Sequence, residues 1–360
     1  MILYDYLKTA EERCRRCFEE FPLDTIRPRE LYRGTVEYFN RGGKRLRPAI
    51  LMLSAGATGG KTAEESVTSA ACAVELFHTF TLVHDDIIDN DPTRRGGKSV
   101  HVLVSDMFPT AEREKRDEYG RDTAILAGDM LHALSVRFML DTAKSGISPT
   151  TVMSAVDILE SECLTGVLEG EAIDTRAGLI TDPTLPFSTG TRDEIIYMMQ
   201  KKTGVLFSAS AKIGAMLGLD TSDDMHPHVV ALGEFASSCG IAFQLQDDIL
   251  GVTGDEIKLG KPIGSDIREG KRTLILNNAY EKADSDGKAL IERVVGSKYA
   301  TDKDILAVRD LFVSTGAVEY TRRLALEYID TALTHLKKIP ASAYTEILGE
   351  WADFMARREL

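Results

Sequence analysis

The chain has 360 residues, 43% of them hydrophobic and 28% charged, which excludes disorder and allows a large buried core. Its formal net charge of −13 excludes a general nucleic-acid binder, whose contact faces must be basic. Small anions remain open as ligands, because local Lys and Arg clusters or carboxylate-held cations can reverse the field at one site.

The five cysteines, Cys14, Cys17, Cys72, Cys163 and Cys239, are odd in number and scattered, a pattern of reduced thiols in a cytoplasm. Cys14-x-x-Cys17 has no second pair to complete a zinc site. The opening MILYDYLKTAEERC lacks the basic and apolar regions of a signal peptide. No run of about 18 uncharged apolar residues occurs. The expectation is a cytoplasmic protein with no transmembrane segment.

In chain order, the first chemical signal is Gly42-Gly43-Lys44-Arg45-Leu46-Arg47-Pro48. Glycine lets the backbone approach an anion, and Lys and Arg supply charge and forked donors. From about Glu65 to Asp89 the residues Ala70, Val74, Phe77, Thr81 and His84 recur at helical spacing. That helix ends in His84-Asp85-Asp86-Ile87-Ile88-Asp89-Asn90-Asp91. Asp85 and Asp89 share one helix face, where two carboxylates repel unless a cation sits between them. Mg²⁺ suits the pair because it takes oxygen ligands and bridges to phosphates. Arg94-Arg95-Gly96-Gly97 then repeats the glycine–arginine chemistry.

Ser105–Gly120 is charge-dense and is expected as a surface loop or short exposed helix without a catalytic role. Helical periods return over Ile195–Leu219, Val229–Ile249 and Val318–Leu336. The first of these carries Lys201-Lys202-Thr203-Gly204. The second ends in Phe243-Gln244-Leu245-Gln246-Asp247-Asp248-Ile249-Leu250-Gly251, a second acidic box that could hold further Mg²⁺. Lys261 and Lys271-Arg272 add basic points, and Glu281–Asp304 is expected at the surface. Strand alternation is almost absent, which predicts an all-α fold. No linker is evident, so one large domain over 1–360 is expected.

Taken in order, GGKRLRP, HDDIID, RRGG, KKTG, FQLQDD and GSDIREGKRTL resemble the trans-isoprenyl diphosphate synthases, the farnesyl and geranylgeranyl group, with a motif-bearing core over about 35–280. The pattern is most similar to archaeal-type geranylgeranyl members. The resemblance implies a single orthogonal helical bundle around an active-site cleft, two or three Mg²⁺ ions and a homodimer. It implies isopentenyl diphosphate and allylic diphosphates (dimethylallyl, geranyl, farnesyl) as substrates. Lys44, Arg47 and His78 match the residues that hold isopentenyl diphosphate, with Arg95 assisting. Arg94, Lys202, Thr203, Gln244, Lys261 and Lys271 match positions around the allylic diphosphate. Asp85 and Asp89 match the first metal box and Asp247 leads the second; with Lys202 these form the catalytic set.

Three departures stand out. Gly251 replaces the final Asp of the second box, leaving Asp247 and Asp248, so Gly251→Asp is expected to be mild. In GEAID, Glu171 replaces the usual Gln while Asp174 is kept. The charged segment after His101 is about a dozen residues longer than usual. Chain length in this family is set on the helix before the first box, where Phe80 beside Thr81 points to a C20 product, with C15 as the alternative. A class I terpene cyclase would need a different second metal motif, and an HD-type phosphohydrolase would need more upstream histidines. A non-catalytic subunit of a heteromeric synthase would be expected to lose the Asp boxes.

Overall fold

The computed structural model describes residues 2–177, 187–253 and 264–357; Lys261 lies outside them. These residues group into two compact units, each assembled from separated stretches of chain. The first comprises 1–159, 209–232 and 339–348, the second 160–208, 233–338 and 349–360.

The first unit is built on α1 (Ile2–Glu19), α2 (Arg29–Asn40), α3 (Leu46–Ser66), α4 (Thr68–Ile88), α5 (Val100–Ser105), α6 (Arg113–Asp141) and α7 (Pro149–Asp157). α4 carries the first Asp box. Its residues from Ala70 to Phe77 are all buried, because the run is apolar around almost the whole helix and a helix of that kind belongs in a core. It packs against α3 and α6. The expected helix from Glu65 is divided at Val67, which ends α3 and precedes α4.

Between α4 and α5 a two-residue antiparallel ladder pairs Thr93 with Lys98 and Arg94 with Gly97. Arg95 and Gly96 form its turn with φ of 50° and 73°, the paired positive angles that suit a tight hairpin. The charged 105–120 segment departs from expectation. Its second half is the start of the 29-residue α6, whose opening turns are mostly exposed. Among the described residues, the helical stretch 113–145 is long and apolar enough, by length and composition only, to cross a membrane, although Asp129, Arg137 and Asp141 break its apolar run. Half of its apolar window is buried inside the protein, as in a core helix.

The second unit contains α8 (Thr165–Ala177), α9 (Arg192–Met199) and a π-helical turn at Gln200–Gly204 that leads into α10 (Val205–Leu219). It also holds the part of α11 (Pro227–Thr253) from Gly233 onward, where the second Asp box lies. α12 (Ser265–Glu269), α13 (Leu274–Lys282), α14 (Ser285–Val294), α15 (Asp302–Ser314) and α16 (Ala317–Leu336) follow. Ile249, Ile267, Ile275, Ile291, Val294, Val308 and Phe312 form its core. The polar 281–304 stretch is therefore amphipathic rather than wholly superficial, since Ile291, Val294 and Val295 are buried. Trp351 of α17 (Ala343–Arg357) is fully buried, its ring 5.5 Å from Phe207 and 6.0 Å from Phe235.

Candidate active site

In the first unit, α4 delivers Asp85 and Asp89 one turn apart, with carboxylate oxygens within 4.8 Å of one another. Two oxygen donors at that spacing fit a hard divalent cation. Asp86 turns the other way and is fully buried. One of its oxygens accepts from Arg94 Nε at 2.6 Å and the other from the Tyr38 hydroxyl. That hydroxyl in turn accepts the Val100 backbone N–H at 3.0 Å. Arg94 Nη2 also reaches Asp85 at 3.0 Å and Asp91 at 3.4 Å. Burial lifts the Asp86 carboxyl above its ordinary value against the opposing pull of Arg94. Burial also works against the Arg94 charge, but the carboxylates around it prevail and hold its pKa above the ordinary guanidinium value.

His84 fits beside α6 because Gly128 leaves room: a Cβ there would lie 2.2 Å from His84 Nε2. Phe80 is buried, its ring edge-on to Phe77, His84 and His132 at centroid distances of 4.8, 5.7 and 5.2 Å. Thr81, on the next position, donates to the His78 carbonyl.

The GGKRLRP segment is a turn followed by the first turn of α3. Gly42 and Gly43 have φ of 77° and 151° and Arg45 is left-handed at φ 48°. Lys44 stays exposed while Arg45 is buried. Arg47 Nη1 donates to His78 Nε2 at 3.2 Å. His78 is held well below the ordinary imidazole value by burial and then by Arg47, so its ring is neutral and free to accept from a guanidinium, which only donates. Lys44, Arg47, His78, Phe80, Asp85, Asp89, Arg94 and Arg95 thus all belong to the first unit.

Lys202, Thr203, Gln244, Asp247 and Lys271 belong to the second. Lys201, Lys202 and Thr203 lie in the π-helical turn, a local widening that often marks functional positions. α8 approaches this turn so closely at Gly170 that a Cβ there would lie 2.3 Å from the Lys202 backbone nitrogen. The next residue, Glu171, and Asp174 one turn further on place their carboxylates at 2.9 and 2.6 Å from Lys202 Nζ. Thr203 Oγ1 donates to Gln244, and Gln244 Nε2 donates to Asp248 Oδ1 at 3.1 Å.

The second Asp box divides its labour as the first does. Asp247 is partly exposed, whereas Asp248 is buried and its Oδ2 has no hydrogen-bond partner among the described residues. Burial, reinforced by Asp266, pushes the Asp248 carboxyl up to about 8. The Asp248 side chain is turned into the protein, which leaves Asp247 as the more accessible carboxylate of this box. Against the expected mildness of Gly251→Asp stands a neighbour that the sequence does not show. A Cβ on Gly251 would meet Asp266 Oδ2 at 2.6 Å, so Asp266 already occupies the space over Gly251. Lys271 lies 4.0 Å from Asp266 and 3.0 Å from Glu269.

The sequence pattern did not single out Glu75, Tyr38, Asp86, Asp91 or Asp266. Glu75 had one visible signal, as the lone charge in the apolar run AACAVELF.

The polyprenyl synthetase family model matches residues 28–312. The chain belongs to the polyprenyl synthetase family. The chain is 37% identical to the geranylgeranyl diphosphate synthase of Methanosarcina mazei over all of its own length and 99% of the relative's. It is 34% identical to the geranylfarnesyl diphosphate synthase of Aeropyrum pernix over 93% and 96% of the two chains. A geranylgeranyl pyrophosphate synthase from Corynebacterium glutamicum, solved with isoprenyl diphosphate and magnesium, superposes with a TM-score of 0.84 at 28% identity, covering 99% of both chains. This polyprenyl synthetase therefore has the all-α isoprenoid synthase fold and is a short-chain prenyltransferase. The family works with a divalent metal on isoprenyl diphosphates, and the carboxylate pair Asp85/Asp89 has the donor chemistry to hold such an ion.

Proposed function

We propose that the chain is a geranylgeranyl diphosphate synthase, a homodimeric cytoplasmic enzyme acting as one catalytic domain. It condenses isopentenyl diphosphate with dimethylallyl, geranyl and farnesyl diphosphates. The observation that carries the C20 product is Phe80 on α4, buried five residues before Asp85 and followed by the small Thr81. The Methanosarcina mazei relative, matched over its full length, supports the same length.

Asp85 and Asp89, and separately Asp247, would hold two or three Mg²⁺ ions. Bound Mg²⁺ supplies charge neutralisation of the allylic diphosphate. Lys202, Thr203, Gln244, Lys261, Lys271 and Arg94 grip that diphosphate directly. Lys44, Arg47 and His78, with Arg95, fix isopentenyl diphosphate in place. The allylic C1–O bond breaks with its electron pair leaving on the diphosphate. The isopentenyl double bond attacks the resulting allylic cation, a new C–C bond forms, and the proton lost from the isopentenyl unit passes to the released diphosphate. Apolar walls exclude water that would quench the cation.

The decisive experiment is incubation with Mg²⁺, isopentenyl diphosphate and each allylic starter, followed by chromatography of the dephosphorylated products. A C20 alcohol is expected; a dominant C15 or C25 product would replace the chain-length assignment. Asp85→Ala is expected to lower turnover by several orders of magnitude, and full turnover after exhaustive chelation would remove the metal mechanism.

A further inference from the structure

We propose that Glu75 is the positioning residue that sets both glycine–arginine turns of the isopentenyl diphosphate site, acting through Arg45 and Arg95 rather than on substrate. The proposal rests on the assignment of Lys44, Arg47 and His78 to that diphosphate.

Glu75 is 2% exposed in the all-buried face of α4. A carboxylate so placed is costly unless charged partners surround it. Its partners come from two turns about 50 residues apart in sequence. Arg45 Nη1 donates to Glu75 Oε1, and Arg95 Nη2 reaches the same oxygen at 3.2 Å. Each arginine has a second anchor on the end of α2. Arg45 Nη2 donates to the Phe39 carbonyl at 2.6 Å with its guanidinium 4.4 Å from the Phe39 ring centre. Arg95 Nη1 donates to the Tyr38 carbonyl at 2.8 Å.

Both arginines are left-handed, with φ of 48° and 50°. A non-glycine residue keeps that conformation only where its surroundings over-determine it, and the shared carboxylate is the common element here. The two turns also touch directly: a Cβ on Gly43 would lie 3.3 Å from Arg95 Cζ. With Arg45 pinned, Lys44 is left exposed on one side of it and Arg47 begins α3 beside His78. His78 lies three residues after Glu75, on the same face of α4. One helix face thus fixes the backbone of the basic turn with Glu75 and contacts its functional arginine with His78. Removing the negative charge would leave two guanidiniums confined together, and the turn carrying Lys44 and Arg47 would relax.

The test uses full-length Glu75→Gln, Glu75→Asp and Arg47→Ala with Mg²⁺, measuring kcat, both Michaelis constants and Tm. Glu75→Gln is expected to raise KM for isopentenyl diphosphate at least about tenfold. KM for the allylic substrate should stay within about twofold. Glu75→Asp, which keeps the charge, should restore most of the loss. If Arg47→Ala raises the isopentenyl KM and Glu75→Gln does not, the role of Glu75 is overturned while the site assignment stands. If Arg47→Ala leaves that KM unchanged, the assignment fails and the proposal with it. If Glu75→Gln alters kcat and both KM values alike, in step with Tm, Glu75 is a packing residue and the proposal is overturned. Should Glu75→Gln fail to fold, Arg45→Gln, which removes the other half of the buried pair, is judged by the same split, and a lowered Tm with an unchanged KM for isopentenyl diphosphate overturns the proposal.

Discussion

Phe80 lies about 7.5 Å before Asp85 along the axis of α4, at 1.5 Å per residue. Its ring is wedged among Phe77, His84 and His132, so truncation opens a space that these neighbours line. Phe80→Ala is expected to shift products beyond the wild-type length by at least one C5 unit. Thr81→Phe, closer to the Asp box, is expected to shorten them, and neither should change the metal requirement. Chromatographic profiles of dephosphorylated products check both. Gly251 makes the opposite point about adding atoms. A side chain there meets the movable tip of Asp266 at 2.6 Å, so the larger cost is electrostatic, because an added carboxylate would repel that of Asp266. A like charge about 4 Å away costs from ~1 kcal/mol in water to ~4 kcal/mol at an effective dielectric of 20. Gly251→Asp is therefore expected to lower turnover markedly and to raise the Mg²⁺ concentration needed for half-maximal rate; a wild-type Mg²⁺ titration would refute it. The sequence displayed the missing Asp but not its occupant, because Asp266 lies 15 positions away and only folding brings it over Gly251.

At the scale of elements, the approach of α8 to the π-helical turn depends on the absence of a side chain at Gly170. A methyl group added there would lie 2.3 Å from the Lys202 backbone nitrogen, and backbone cannot rotate aside as a flexible side chain can. Gly170→Ala should force α8 away and stretch the Lys202 bridges to Glu171 and Asp174. Its expected cost is about 1–3 kcal/mol, the range for overpacking, seen as a lower Tm together with a raised allylic KM. Much of this level was legible beforehand. Periodicity located α4, α11 and α16, and the all-apolar run of α4 foretold its burial. What escaped was the geometry between elements. Nothing in KKTG announces a widened helical turn. The acids of 105–120 concealed the start of α6, because exposed opening turns carry no apolar face to reveal a helix. In the same way nothing in the sequence pairs Tyr38 with Asp86 until α2 and α4 meet.

For the whole molecule, each compact unit carries one Asp box, Asp85 and Asp89 in the first and Asp247 in the second. Ligands that bind only the folded chain stabilise it by mass action, by about 2.7 kcal/mol at a hundredfold excess over Kd. Mg²⁺ with inorganic diphosphate is accordingly expected to raise Tm. Asp85→Ala and Asp247→Ala should each diminish that rise, as measured by differential scanning calorimetry. A rise as large as that of the wild type in both variants would show that the ion sits elsewhere.

Trp351 gives that experiment a second channel. It is the single tryptophan of the chain, and its indole is sealed against Phe207 and Phe235. All three residues belong to the second unit. Emission excited at the indole band therefore reports one unit of the protein, whereas the circular dichroism of the helices reports both. If the two signals trace the same melting curve, the units lose structure as one cooperative block. A red shift in emission that precedes or trails the ellipticity change would resolve the order in which they come apart, without any label being introduced.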